Sequence, residues 1–205
     1  MDSDISKIHL YNDDLPNDLQ LSNQVAIDTE TLGLNPARDR LCLIQINDGS
    51  DSTHLIRVTS PINPAPNLIK MLQSEKIQKL FHFARFDVAV ITKSYGISIN
   101  NIYCTKIASK IARTYTDKHS LKSLCEELLN ISLSKEEQSS DWGTENLTES
   151  QKKYAANDVI YLHKIHEELN KILIRENRFE LYKECLKFLK TRVDLDLALF
   201  RDDIW

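Results

Sequence analysis

The sequence predicts one α/β domain, a mixed sheet of about five strands flanked by helices. Three observations lead to this prediction. Apolar segments rich in β-branched residues alternate with turn signals in the first half of the chain, helical segments separate the later strands, and the C-terminal half is mostly helical. Strands and helices in this order favour a sheet covered by helices.

Length and composition fit a single domain over residues 1–205. The chain has a mass of 23.7 kDa, which is enough for one well-buried core and too little for two domains of ordinary size. Its 41% hydrophobic and 27% charged residues exclude the intrinsically disordered class. No repeat, low-complexity tract or linker divides the chain.

The charge of the chain limits its partners. The net charge is −4 and the isoelectric point is near 5.9, the opposite of proteins that grip many phosphates along a duplex. Any contact with nucleic acid is therefore expected to be short and local. The sequence begins Met1-Asp2-Ser3-Asp4, without a signal-peptide pattern, and has no run of 18 uncharged apolar residues. These features predict a cytoplasmic protein with no membrane partner.

Four cysteines stand singly, at Cys42, Cys104, Cys125 and Cys185. No C-x-x-C pair suggests zinc binding or a redox centre. Each has apolar neighbours, so we expect reduced residues in the core.

The first three predicted strands form an antiparallel meander. They cover about residues 25–30, 41–46 and 54–58, with turn-rich stretches between them. Two shorter strands are predicted near 77–81 and 102–104.

Helices are predicted after the meander and between the shorter strands. One covers about residues 65–73, and a second runs from 85 to 95 and is stopped by Gly96. Ser120 precedes an amphipathic stripe that begins at Leu121. Thr148 with Gln151 forms a capping-box pattern ahead of a long helix toward Glu176. A last amphipathic helix is expected from Phe179 to Leu189.

Two carboxylates lie at the end of the first predicted strand. Because successive strand side chains point to opposite faces, Asp28 and Glu30 project together and Ile27 and Thr29 face the other way. Like charges this close are unfavourable unless a cation lies between them. Taken alone, the pair is also compatible with two solvated acids at a strand end.

Two further elements add an aromatic hydroxyl and two acids. Tyr154 and Asp158 are four residues apart, which places them on one face of the long helix. Asp87 lies in the first turn of a helix that follows an apolar strand. Singly, these fit an exposed helix pair and an acid favoured by the helix dipole.

The joint order of the three elements is more specific than any one of them. Four carboxylates suit hard cations such as Mg²⁺ or Mn²⁺, and no histidine or cysteine set favours zinc. Two such ions can activate a water and stabilise the leaving oxygen of a phosphodiester. The sequence therefore predicts a two-metal nuclease with the site residues Asp28, Glu30, Asp87, Tyr154 and Asp158.

Six segments of the chain, two of which contain site residues named above, carry a family resemblance. They are Asp28-Thr29-Glu30-Thr31-Leu32-Gly33-Leu34, Phe81-His82-Phe83, Cys104-Thr105-Lys106-Ile107-Ala108-Ser109-Lys110, Arg113-Thr114-Tyr115-Thr116-Asp117, Gln138-Ser139-Ser140-Asp141-Trp142 and Tyr154-Ala155-Ala156-Asn157-Asp158-Val159. With these residues the chain resembles the DEDDy branch of the DnaQ-like 3′-5′ exonucleases, which have a ribonuclease H-like fold. Within it, the chain is similar to the ribonuclease D group and more closely to the nanoRNase C (NrnC) diribonuclease family. The similarity covers about residues 25–196.

The resemblance implies a cytosolic exoribonuclease that degrades two-nucleotide RNAs, including pGpG, to mononucleotides and assembles as an octamer. It implies two divalent cations, bridged by Asp28, with Glu30 and Asp158 on one ion and Asp87 supporting the other. Tyr154 would orient the attacking water. The helical RNA-binding domains of ribonuclease D have no counterpart within 205 residues.

Substrate-binding residues are expected around this site. The resemblance implies that Leu34 inserts between the two bases, although a turn leucine could also pack on the core. Positive charge and a predicted helix start make Arg113, Lys118, His119 and Ser120 candidates for the 5′-phosphate, with a solvated loop as the alternative. The remaining candidates are Thr29, His82 and Phe83, of which His82 could equally be a core histidine.

Two alternative functions remain open from the sequence. One is a ribonuclease D-like exonuclease acting on longer RNA or DNA. The other is an RNA-binding scaffold that has lost catalysis. Large apolar residues at 197–200 and at Ile204-Trp205 also hint at a subunit contact.

Overall fold

A computed structural model describes residues 7–133 and 140–200 of the chain. Its centre is a six-stranded sheet with the strand order β1-β4-β3-β2-β5-β6. The strands are β1 Lys7–Asn12, β2 Gln24–Thr31, β3 Leu41–Asn47, β4 Ser52–Arg57, β5 Gln78–Phe81 and β6 Ile102–Cys104. Strands β2, β3 and β4 form the predicted antiparallel meander, and β1, β5 and β6 pair in parallel with their neighbours. The prediction of a mixed sheet is confirmed.

Seven α-helices flank the sheet in the described part of the chain. They are α1 Pro66–Gln73, α2 Ala84–Tyr95, α3 Thr105–Ala112, α4 Leu121–Leu124, α5 Glu149–Ile160, α6 Leu162–Arg175 and α7 Phe179–Leu197. Helix α4 continues as a π-helical segment, Cys125–Leu129. Helix α2 ends at Gly96, whose φ of +65° lies in the left-handed region that glycine adopts without strain.

The sheet separates two apolar layers. On one face, Ile27 and Ile44 pack with Leu68 of α1, Val88 of α2 and Leu189 of α7. On the other face, two clusters form beneath α3, α5 and α6, and they contain Ala26, Leu80, Ala108 and Leu169 in one and Leu43, Leu55, Trp142 and Ala155 in the other. Each face of β2 is therefore covered, and the alternation of its side chains decides which layer each one enters.

Two features of the fold were not predicted. Strand β1, an edge strand with mostly exposed residues, was missed although Ile8 and Leu10 alternate with polar residues, because so short an alternation was not assigned to a strand. The long helix expected from Thr148 to Glu176 is divided at Tyr161, whose backbone N–H bonds to the carbonyl of Val159 and not to the residue four positions earlier. Helix α5 can therefore face β3 and Trp142 while α6 packs in the other cluster.

The cysteine prediction is confirmed at three of four positions. Cys42, Cys104 and Cys125 are buried and free, whereas Cys185 is free and exposed on α7. In the described residues, no helix is long and apolar enough to cross a membrane.

Two tyrosines with buried hydroxyl groups give a matched test of the packing. The Tyr182 hydroxyl, on a side chain only 2% exposed, accepts the Cys104 backbone N–H at 3.0 Å. The buried Tyr95 hydroxyl has no hydrogen-bond partner among the described residues. Tyr182→Phe leaves a buried donor unpaired, so we expect it to lower the free energy of unfolding by about 1–3 kcal/mol, and Tyr95→Phe to leave it unchanged or slightly higher. Urea unfolding measures both, and equal losses in the two variants would contradict this account.

Candidate active site

The end of strand β2 carries two of the predicted acids. Asp28 and Glu30 lie on the face that Ala26 shares with α5 and α6, while Ile27 packs on the opposite face with α2. The pairing with β3 is irregular between Glu30 and Thr31, where β2 ends. The strand alternation thus places both carboxylates toward α5, as the sequence predicts.

Helix α5 brings the third acid to the same place. Asp28, Glu30 and Asp158 each offer an oxygen atom, and these atoms all lie within 4.8 Å of one another. Ala155 and Ala156, both buried on α5, let the helix approach the sheet closely. The start of the helix is fixed by the predicted capping box, in which Thr148 and Gln151 bond to each other's backbone N–H.

Asp87 lies beside this cluster, near Asp28, but outside the set of three acids whose oxygen atoms are within 4.8 Å of one another. It occupies the first turn of α2, is 3% exposed, and accepts a hydrogen bond of 2.7 Å from the Thr29 hydroxyl. Thr29 points away from Asp28 and Glu30 because it is the residue between them on β2. All four acids therefore lie near the end of β2. Asp28, Glu30 and Asp158 share one face, and the hydroxyl of Thr29 holds Asp87.

Burial and mutual repulsion raise the pKa values of all four carboxyls. For Asp28 the rise comes from burial first and then from Asp87, Asp158 and Glu30. Burial, with the charges of Asp158 and Asp87, raises the pKa of Glu30 to about 9. Burial also raises the pKa of Asp87 and of Asp158 to about 7, although hydrogen bonds from Thr29 and Tyr154 oppose the rise.

The donor set fits a divalent cation. In residues 7–133 and 140–200, no lysine or arginine forms an ion pair with any of the four acids. Carboxylate oxygens are the ligands that Mg²⁺ and Mn²⁺ prefer. A bound dication would offset the repulsion that otherwise favours protonation.

Tyr154 stands beside the cluster, one helical turn before Asp158. Its hydroxyl donates a hydrogen bond to Asp158, and its ring lies 6.1 Å from the ring of Trp142. Burial, followed by the charges of Asp158, Glu30 and Asp28, raises the pKa of the phenol well above its usual value. The hydroxyl therefore remains protonated at neutral pH and can act only as a hydrogen-bond donor or acceptor.

Gln45 is a polar residue near the site that the sequence analysis missed. It is fully buried on β3, directly opposite Asp28, and its Nε2 lies 3.5 Å from Oε1 of Glu30. Its position in the apolar run of residues 41–46 was the available signal. A single amide in an otherwise apolar central strand requires a polar partner.

Asp28, Glu30, Asp158 and Tyr154 line an open cavity of about 730 Å³. Leu34 stands at its edge with 90% of its surface exposed, so it does not pack on the core. His82 lines the cavity and its Nδ1 lies 2.9 Å from the Thr105 hydroxyl. Burial and then Lys106 lower the pKa of His82 to about 3, so the imidazole is neutral. The other lining residues are Thr29, Thr31, Leu32, Gly33, Phe86, Leu121, Ser140, Asp141 and Trp142.

Phe83 faces a neighbouring cavity of about 550 Å³, which Leu34 also lines. Its backbone has a φ of +68°, unusual for a residue with a side chain, and it stands just before α2. The ring is 42% exposed, and the Lys106 ammonium lies 4.1 Å from its centroid. Lys106 is a second residue that the sequence analysis did not select.

The residues predicted to bind the 5′-phosphate lie near one another, linked through Ser109 and Glu127, but they do not line the catalytic cavity. Arg113 is fully buried, bonded to the Lys118 carbonyl at 2.9 Å and paired with Glu127, so its assignment as a phosphate ligand is wrong in this structure. The other three residues stay predictions. Lys118 is 73% exposed, the His119 ring bonds to the Ser109 hydroxyl, and Ser120 caps α4. None of these three residues lines the catalytic cavity, but Leu121, the residue that follows Ser120, does.

Parts of two predictions fall outside the described residues. These are Gln138-Ser139, in the motif that precedes Trp142, and Ile204-Trp205, in the suggested subunit contact.

Comparison with known proteins places this site in a family. The family model described as 3′-5′ exonuclease matches residues 11–174. Among solved structures, Brucella melitensis NrnC bound to pGG is 46% identical, with a TM-score of 0.90 over 97% of this chain and 98% of that one. The structure of Brucella melitensis NrnC with bound Mg²⁺ is also 46% identical, with a TM-score of 0.89 and the same coverage.

Curated relatives extend the comparison. Ribonuclease D of Gluconacetobacter diazotrophicus is 31% identical over 180 residues, which are 87% of this chain and 44% of that protein. DNA polymerase I of Aquifex aeolicus is 34% identical over 169 residues, 82% of this chain and 27% of the polymerase. The chain thus spans less than half the length of either curated relative. The resemblance to the nanoRNase C and ribonuclease D groups, and the DnaQ-like fold, are confirmed.

The raised carboxyl pKa values make the stability of the metal-free protein depend on pH. Acids whose pKa is raised by folding bind protons more tightly in the folded state, so the stability that these acids contribute is full below about pH 4 and is lost as pH rises toward 9. In EDTA, we expect the free energy of unfolding to fall across this window and saturating Mg²⁺ or Mn²⁺ to reverse the fall.

A variant isolates the cause of this dependence. At pH 9 in EDTA, Asp158→Asn removes one of the like charges and should stabilise the protein by about 1–3 kcal/mol. Glu149→Gln, at an exposed acid on the same helix, should leave the pH dependence unchanged. Urea titrations at several pH values measure both effects. A flat profile in the parent protein would show that the carboxylate cluster is not under strain.

Proposed function

Since this chain belongs to the 3′-5′ exonuclease family, we propose that it is a metal-dependent 3′-5′ exoribonuclease that cleaves very short RNA, chiefly dinucleotides such as pGpG, to nucleoside 5′-monophosphates. The observation that carries the proposal is the cluster of Asp28, Glu30 and Asp158 beside Tyr154 in an open cavity. Similarity to an NrnC structure bound to pGG, over nearly the full length of both chains, supports the substrate.

The four acids have distinct tasks in the proposed site. Asp28, Glu30 and Asp158 would hold the divalent cations, Mg²⁺ or Mn²⁺, and Asp87, held by the Thr29 hydroxyl near Asp28, would support the second cation, partly through water. When bound, such ions activate water and stabilise the charge that develops on the leaving oxygen. The protein holds the carboxylates in place before the ions arrive, through the strand, the capped helix α5 and the bond between Thr29 and Asp87.

Tyr154 would orient the attacking water. Because its pKa is raised, it remains a phenol and cannot serve as the base at neutral pH. Its hydroxyl points at Asp158 and can exchange that bond for one with a water beside the cluster. Trp142 packs near its ring and restricts its orientation.

The substrate would lie along the cavity, with Leu34 between the two bases. The exposure of Leu34 leaves its side chain available for such a contact, and Leu34 also lines the neighbouring cavity with Phe83. Thr29 and His82 would contribute to the walls. We keep the proposal that Lys118, His119 and Ser120 contact the 5′-phosphate. The next residue in the chain, Leu121, lines the catalytic cavity.

Assembly and location belong to the same proposal. We place the enzyme in the cytoplasm as a homo-octamer. The exposed Leu199 and Phe200, 69% and 54% exposed at the end of α7, support a subunit contact there. An alternative function is exonuclease action on longer RNA or DNA, which the similarity to ribonuclease D and to DNA polymerase I favours.

Removing a metal ligand tests the catalytic assignment. Asp28→Ala and Asp158→Ala should each lower turnover of pGpG at least about a thousandfold, because each removes a ligand that the cations require. Tyr154→Phe should lower kcat about 10- to 100-fold with little change in KM. Glu149→Gln is the matched control on α5 and should retain full activity. Nucleotide release with Mg²⁺ is measured by chromatography, and full activity in either alanine variant would refute the assignment.

A length series tests the substrate. Turnover of pGpG is compared with that of 5′-phosphorylated RNA and DNA of five to ten nucleotides. We expect pGpG to be cleaved much faster, and Leu34→Ala to lower kcat/KM for pGpG about tenfold because a buried contact with the bases is lost. Ile62→Ala, at an apolar residue that is 89% exposed, is the control. Equal rates on long and short substrates would favour the alternative function.

A further inference from the structure

A second cavity, which the proposed mechanism does not use, lies next to the catalytic one. It has a volume of about 260 Å³ and forms where β3 begins, β4 ends and residues 142–145 cross them. Trp142 lines both cavities. The lining side chains that matter here are Arg40, Arg57, Thr59, Trp142 and Thr144.

Two arginines give this cavity its chemical character. Each guanidinium has five N–H donors. Within residues 7–133 and 140–200, Arg40 donates to the Val58 carbonyl at 3.3 Å, while Arg57 donates to the Glu145 carbonyl and to Oδ1 of Asn12 at 3.1 Å. Several donors on both side chains are therefore available for a ligand.

Neither arginine is neutralised by a carboxylate in the described part of the chain. Glu145 lines the cavity, and Oδ1 of Asp141 accepts the Gly143 backbone N–H beside it, yet within the described residues neither acid forms an ion pair with Arg40 or Arg57. The lining thus carries two half-buried guanidinium groups and one carboxylate, which leaves it with an excess of positive charge. Two guanidinium groups that line one cavity are suited to bind a phosphate through paired hydrogen bonds.

The backbone at Gly143 allows this arrangement. A Cβ atom there would come within 2.8 Å of a methyl carbon of Leu32 and 3.2 Å of both Nη2 of Arg40 and Oδ1 of Asp141, so a larger residue would require these side chains to shift. The adjoining Trp142 is 3% exposed, and its indole N–H has no partner among the described residues. A buried donor of this kind at the wall of a cationic cavity is a second observation in favour of an acceptor ligand.

We propose that the Arg40–Arg57 cavity is an oxyanion site that binds a phosphate group of a nucleotide. Its volume is below the range of sites that enclose whole drug-sized ligands, so it accommodates a phosphate with part of a sugar. Thr59 and Thr144 add hydroxyl groups to the lining. Because Trp142 separates this site from Tyr154, a bound phosphate would lie beside the catalytic cavity and not within the carboxylate cluster. The proposal does not depend on which RNA the enzyme cleaves.

The test measures binding in EDTA at low ionic strength, where no turnover occurs. The chain has two tryptophans, so Trp205→Phe leaves Trp142 as the only one, and its fluorescence reports ligand binding beside it. The probes are inorganic phosphate, guanosine 5′-monophosphate and pGpG. In this background, we expect Arg40→Met, Arg57→Met and the double variant to raise the Kd at least tenfold.

Control variants distinguish the Arg40–Arg57 cavity from the catalytic cavity and from exposed positive charge elsewhere on the surface. Arg38→Met, at a side chain that is 76% exposed and paired with Asp39, should leave the Kd unchanged. Asp158→Asn should also leave phosphate binding unchanged, because it alters only the catalytic cavity. If Arg57→Met unfolds, Arg40→Lys provides a folded variant that keeps the charge and loses the forked geometry, and it should bind several-fold more weakly.

The outcomes identify the source of the phosphate or overturn the site. Loss of inorganic phosphate and mononucleotide binding in the arginine variants indicates a site for free phosphate monoesters. Loss confined to pGpG indicates a site for the RNA backbone. Equal binding of all three probes by the parent and the double variant would overturn the proposal, and so would phosphate binding that depends on Asp158 and not on the arginines.

Discussion

The electrostatic repulsion among half-buried carboxylates at the end of β2 is the constraint on which the rest of the site depends. Asp28, Glu30 and Asp158 place oxygen atoms within 4.8 Å of one another, and burial adds to the cost of their charges. Such an unfavourable cluster persists only if the packing of the surrounding residues fixes the positions of the carboxylates. The apolar layers on both faces of the sheet fix β2, and the capping box with Ala155 and Ala156 fixes α5 against it.

The sequence predicts those parts of the site that follow from local periodicity. Alternation along β2 was enough to place Asp28 with Glu30, and helical spacing was enough to place Tyr154 with Asp158. Tertiary packing decides the rest. Arg113 looked like a phosphate ligand from its charge, but no local pattern shows that the chain folds over it. The division of the long helix at Tyr161 was missed for the same reason, since it depends on what packs against each half.

The bond between Thr29 and Asp87 joins the two layers of the protein. Thr29 lies between the two acids of β2 and therefore faces α2, where its hydroxyl holds Asp87 at 2.7 Å. One strand thus presents carboxylates to α5 and a hydroxyl to α2. Helix α2 also begins at Phe83 with its strained backbone, so the fourth acid and the aromatic wall of the neighbouring cavity are positioned by the same helix start.

The exposure of Leu34 has a consequence for the end of the reaction cycle. Leu34 faces water, so covering it with apolar surface stabilises the complex by about 25 cal/mol for each Å² of apolar surface buried. In the proposed arrangement, two joined bases cover both of its sides at once. After cleavage the two bases belong to separate mononucleotides. Each mononucleotide contacts only one side of Leu34, and each loses its own translational entropy on staying bound. The same side chain that favours capture of an intact dinucleotide thereby favours departure of the mononucleotides.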